Sequence, residues 1–144
     1  MDNSQTLLTI AIVIVFPVFF IGMWGGIGFL IAAIGGWQGL ARKYETAKDT
    51  PLDQKLTGES GKFGLSNYNY TLTVGFSNNG LFFATNPLFR IGHPPMLIPW
   101  SAVRIISDDG SMLHIKVDET NIWLRKKLLA NFKTYLQRPR NSWL

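Results

Sequence analysis

Two histidines, a few acids and no cysteine are the residues through which this chain could do chemistry. His93 stands in FRIGHPPMLIPWSAV, three residues after Arg90, and His114 stands in MLHIKV. Without cysteine there is no disulfide, no thiol nucleophile and no thiolate metal site. A zinc site would need carboxylates gathered around the histidines, and they do not cluster near either one. General-base work by His93 would need a nucleophile or acid partner. The chain offers no serine elbow, paired carboxylates or phosphate-cradling glycine loop beside it. Asp108 and Asp109 sit in an Asp-Asp-Gly turn, and Arg90 could equally be an anion ligand or a surface charge, the second being the expected reading. The residues therefore point away from an enzyme and from any cofactor or metal. His93 is expected to bond a neighbouring backbone carbonyl in a loop stiffened by Pro94, Pro95 and Pro99. Met96, Leu97, Ile98 and Trp100 would anchor that loop along a sheet edge, because proline has no amide to give a central strand.

What positions this loop is a chain made of two unlike materials. From Asn3 to Ala41 there is no charged side chain, whereas every Lys and Arg and every acid except Asp2 falls after it. Leu7 to Ile34 is apolar almost throughout. At 1.5 Å per residue, roughly 20 apolar residues cross a hydrocarbon core of about 30 Å. Residues 6–38 are thus expected to form one transmembrane helix, with Pro17 as the natural place for a kink. The apolar run is too long, and its start too acidic, for a cleaved signal peptide. Arg42, Lys43 and Lys48 follow the helix while no basic residue precedes it, which predicts a cytoplasmic C-terminal domain. Gly22 and Gly26, continued by Gly28, Ala32 and Gly36, form a small-residue face on which a second transmembrane helix could pack.

After the helix, residues 39–62 read as a juxtamembrane helix extension and linker, broken at Thr50-Pro51 and rich in Gly and Ser. A β domain is expected over 63–138, with a tail at 139–144. Tyr68, Tyr70, Leu72, Val74 and Phe76 alternate with smaller or polar residues, the period of a half-buried strand. Asn78-Asn79-Gly80 turns that strand into LFFAT, a hairpin. Ala102–Ser107 and Met112–Val117 make a second hairpin about Asp108-Asp109-Gly110, and Ile122–Leu124 a short last strand. Leu124, Leu128, Phe132 and Leu136 recur every four residues, an amphipathic helix that ends before Pro139. Strands followed by one covering helix is an α+β plan.

The hairpin ending in GLFF, the loop reaching HPP, the LIPWSAV segment leading into the next hairpin and the single C-terminal helix resemble membrane-anchored bacterial proteins with PH-like or GRAM-like domains. The likeness spans roughly residues 63–137. It implies a strongly bent antiparallel sheet of about seven strands capped at one end by a helix.

The function these features suggest is a non-enzymatic interaction module. It would be held at the cytoplasmic face by one helix, as an accessory or scaffold subunit among other transmembrane helices, with no nucleic-acid role. The alternative is contact with anionic lipid through Arg42 and Lys43 and through the basic C-terminal helix. In that helix Lys126, Lys127, Lys133 and Arg138 lie in a stretch without acids.

Overall fold

A computed structural model describes residues 2–108 and 110–136. Helix α1 (Asn3–Gly35) runs unbroken through Pro17. None of its most apolar 18-residue window is buried against the rest of the chain, so α1 is not a core helix. It is long and apolar enough to cross a membrane. Gly36 ends it in the left-handed conformation (φ 84°), which glycine adopts without steric cost. The chain then turns into a separate short helix, α2 (Trp37–Tyr44).

Seven antiparallel strands follow: β1 (Gln54–Phe63), β2 (Ser66–Ser77), β3 (Gly80–Thr85), β4 (Met96–Ile98), β5 (Val103–Ser107), β6 (Met112–Val117) and β7 (Thr120–Arg125). Their order, β4-β3-β2-β1-β7-β6-β5, gives one curled sheet, a half-barrel whose edges are β4 and β5. Strand β1 is the spine. It pairs with β2 along its length, and at Gly61–Phe63 it also pairs with β7. Register shifts on either side of Glu59 bend it between the two halves. After β7 a single helical turn leads into α3 (Leu129–Leu136).

The half-barrel is plugged at both ends. At one end Phe132 and Tyr135 of α3 pack on Phe76 and Trp100, with ring centroids 5.5 to 5.9 Å apart. Trp100 also donates its indole N–H to the Ser77 carbonyl at 2.7 Å. At the other end, where β1 turns into β2, the plug is Trp37. Its ring is fully buried against Phe63, Tyr68, Phe83 and His93.

Two expectations need correction. The helical extension expected at the start of residues 39–62 is present as α2, which buries Leu40 and Ala41, but the rest is not a linker, since β1 begins at Gln54. The strand escapes a search for alternation because its inward positions include Glu59 and Gly61, and its bulges break the period of two. The four-residue leucine stripe also starts the last helix too early, since Leu124 lies in β7 and α3 begins at Leu129.

At Gly35 a side chain would collide with backbone: an added Cβ would lie 2.7 Å from the Phe63 carbonyl. Gly35→Val should therefore separate α1 from the sheet, and Trp37→Ala should open the plug. Truncating a buried tryptophan costs about 3–5 kcal/mol. Chemical denaturation of the full chain in detergent should show a loss of that size for Trp37→Ala and a smaller one for Trp24→Ala, whose ring is 43 % exposed. Equal losses would mean that the domain closes without its plug.

Candidate functional site

The junction between α1 and the half-barrel gathers most of the residues of interest. Gly36 turns the chain so that Trp37 enters the barrel end, where its indole N–H donates to the Pro94 carbonyl at 3.0 Å. Beside it, His93 is 1 % exposed. Its Nδ1 faces the Ile91 carbonyl at 3.3 Å, and a carbonyl only accepts, so Nδ1 carries the proton. Nε2 is then the acceptor for the Tyr68 hydroxyl, 2.7 Å away. Burial pushes the imidazole below its usual range, against the opposing pull of the Ile91 and Phe89 carbonyls. Burial also raises the Tyr68 phenol, which stays a protonated donor. Both ring nitrogens are engaged and the ring is sealed, so this histidine fixes a loop. Pro95 contributes as well: its carbonyl accepts from the Thr46 amide at 2.9 Å.

That loop lies along α1. A short helical turn (Pro87–Phe89) is capped by Asn86, whose side chain accepts from the Leu88 amide. Trp24 of α1 donates its indole N–H to the Leu88 carbonyl at 3.1 Å and packs on Phe89 at 5.6 Å. Ile91 covers Gly25 and Gly28. Leu88 and Ile91 remain 68 % and 54 % exposed, and Leu65 in the β1–β2 turn is 78 % exposed. Three large apolar side chains thus crown the α1 end of the half-barrel. Arg90 stands in the same loop between two clefts. One, about 560 Å³, is walled by Phe29, Gln38, Arg42, Glu45 and the two prolines of HPP. The other, about 330 Å³, lies over the outer face of β1 and β2 and includes Lys48 and Lys55.

The small-residue face of α1 is divided. No atom comes within 4 Å of a Cβ added at Gly22 or Gly26. Gly28 lies against the Ile91 backbone, Ala32 is fully buried, and Gly36 caps the helix beside Thr120. The chain's own domain therefore occupies the last three positions. Basic residues divide similarly. Lys43 bonds Asp118 at 3.3 Å, and its hydrogen bonds to Tyr44 and Asp118 hold its ammonium above the usual range. Lys127 pairs at 2.8 Å with Glu59, a carboxylate buried beneath it. Lys126 and Lys133 are exposed, but they belong to the segment plugging the far end of the sheet, away from α1. Arg138 lies outside the described residues. Pro99 caps a short turn that begins at Trp100, and Trp100 serves the far plug, not the HPP loop. Arg90, read from sequence as a surface charge, lines both clefts. Lys48 and Lys55 had no sequence signal beyond their charge, since neither lies near Arg90 along the chain.

The histidine gives a signed pH dependence. Its folded-state affinity for protons is depressed, whereas the unfolded chain takes one up below about pH 6.5. Stability should be full above that pH and fall as the medium is acidified through it. In His93→Gln the fall should flatten; an unchanged slope would mean that the imidazole is not the group responsible. Tyr68→Phe leaves Nε2 without its donor and should cost about 1–3 kcal/mol at pH 7.5.

Compared with known proteins, the chain matches no family model, no curated protein and no solved structure.

Proposed function

We propose that this chain is a single-pass, membrane-anchored binding module whose β domain is seated against the cytoplasmic leaflet. It would work as an accessory or scaffold subunit of a membrane complex. The observation that supports this reading is how the domain sits on the end of α1. Helix α1 is continuous with the plug of the half-barrel through Gly36 and Trp37, and the Ser66 hydroxyl donates to the Ile31 carbonyl at 2.6 Å. A domain built around the end of its anchor is held at a set height and orientation, which suits presenting a surface to partners in the same bilayer. Exposed Leu65, Leu88 and Ile91 at that end fit the headgroup–acyl boundary, where apolar side chains are favoured. The strand order and the helix plugging one end support a PH-like module. With Gly28 and Ala32 covered by the domain, Gly22 and Gly26 are the stretch left for a second helix.

Because the chain has no native cysteine, topology can be read with single introduced thiols. In intact cells a membrane-impermeant maleimide should label Ser4→Cys, and it should reach Ser101→Cys only after lysis. The opposite pattern would reverse the orientation. A photoreactive side chain at Phe19, on the Gly22–Gly26 face, should capture a second transmembrane segment. Capture of lipid alone would remove the partner-helix part of the reading.

A further inference from the structure

The smaller cleft brings together three basic residues from three separate segments of the chain. On β2, Leu72, Val74 and Phe76 face the core, so Thr71 and Thr73 face outward; Lys55 and Thr57 of β1 join them. Lys48, from the segment after α2, and Arg90, from the α1-bound loop, complete the wall. No Asp or Glu lines this cleft. Lys43, Lys116 and Lys127 each have a carboxylate partner, whereas Lys126 and Lys133, exposed on the C-terminal segment, have none among the described residues. Among the described residues, Lys48, Lys55 and Arg90 have no ion pair and no side-chain hydrogen bond. Three unpaired cations on one small concavity repel each other, and an anion with several oxygens removes that cost.

We propose that this cleft binds a phosphate monoester, and that its source is the headgroup of an anionic lipid in the leaflet where α1 ends. This rests on the membrane-anchored reading. A monoester carries about −1.5 to −2 charges near neutrality, which suits three cations better than the single charge of a diester. The threonine hydroxyls offer partners to a small polyol, and 330 Å³ has room for one. Location supplies the lipid source. Leu88 and Ile91, flanking Arg90, pack beside Trp24–Gly28, and that turn follows Leu7 by roughly the 20 residues that cross a hydrocarbon core. Arg90 then stands at the depth of lipid phosphates.

Native mass spectrometry of the full chain in neutral detergent micelles, doped equally with phosphatidate and phosphatidylglycerol, tests this. Phosphatidate should be retained preferentially, and less so as pH falls through about 6, where the monoester gains a proton. Lys48→Gln, Lys55→Gln and Arg90→Gln should each weaken retention about tenfold, the loss expected for one charge-assisted contact. A Lys126→Gln, Lys133→Gln double variant should leave it unchanged. Circular dichroism of each variant checks that it folds. Equal retention of the two lipids, or equal loss in the control variant, would reduce the effect to general attraction and overturn the site. In undoped micelles, glycerol 3-phosphate binding as tightly as phosphatidate would keep the phosphate site and overturn its lipid source. If the chain proved soluble without detergent, the anchoring reading would fail, while the glycerol 3-phosphate titration would still read the cleft.

Discussion

A curled sheet that does not close on itself has apolar side chains lining an interior open at both ends, and water must be kept out of each. One end is sealed by α3 through Phe132 and Tyr135. The other is sealed by Trp37, the second residue after α1 ends. This placement governs much of the rest. Because the plug directly follows the apolar helix, the domain cannot complete its core while swinging freely from that helix. Gly35 and Gly36 are the backbone counterpart: one lets α1 touch the β1–β2 turn, and the other turns the chain into the barrel. His93 belongs to the same construction, with its two nitrogens tying the HPP loop to Tyr68 and to the loop's own carbonyl.

The consequences for function run through the loop between β3 and β4. Its backbone is held from above by Trp37 and Thr46, which bond the Pro94 and Pro95 carbonyls, and from the side by Trp24. A loop so fixed has little conformational entropy left to lose, so Arg90 is pre-organised toward whatever enters the neighbouring clefts. Charges near α1 and charges on the C-terminal segment, though all basic in composition, sit in different surroundings. Lys127 neutralises the buried Glu59 carboxylate at the bend of β1, whereas Arg90 and Lys55 line a cleft without a carboxylate.

How much of this was legible in the sequence follows from which interactions are local. Both hairpins, the edge character of MLIPW and the histidine bound to a carbonyl came from nearest-neighbour chemistry: alternation, turn residues and missing amides. Strand β1 did not, because its bulges and its buried Glu59 hide the inward face. Arg90 was undervalued because its companions, Lys48 and Lys55, lie far away along the chain. Tyr68 looked like any strand aromatic until the fold set His93 against it.

By itself the sequence determined an uncharged helix followed by an antiparallel domain, since hydropathy and strand period depend on residue type and spacing alone. Tertiary structure alone decided that the residue after the apolar helix's glycine cap plugs the domain, that three of the five positions on the small-residue face are used internally, and that Lys48, Lys55 and Arg90 share one cleft. Each of those depends on distances between residues remote in the chain, and such distances are set by how the whole sheet curls.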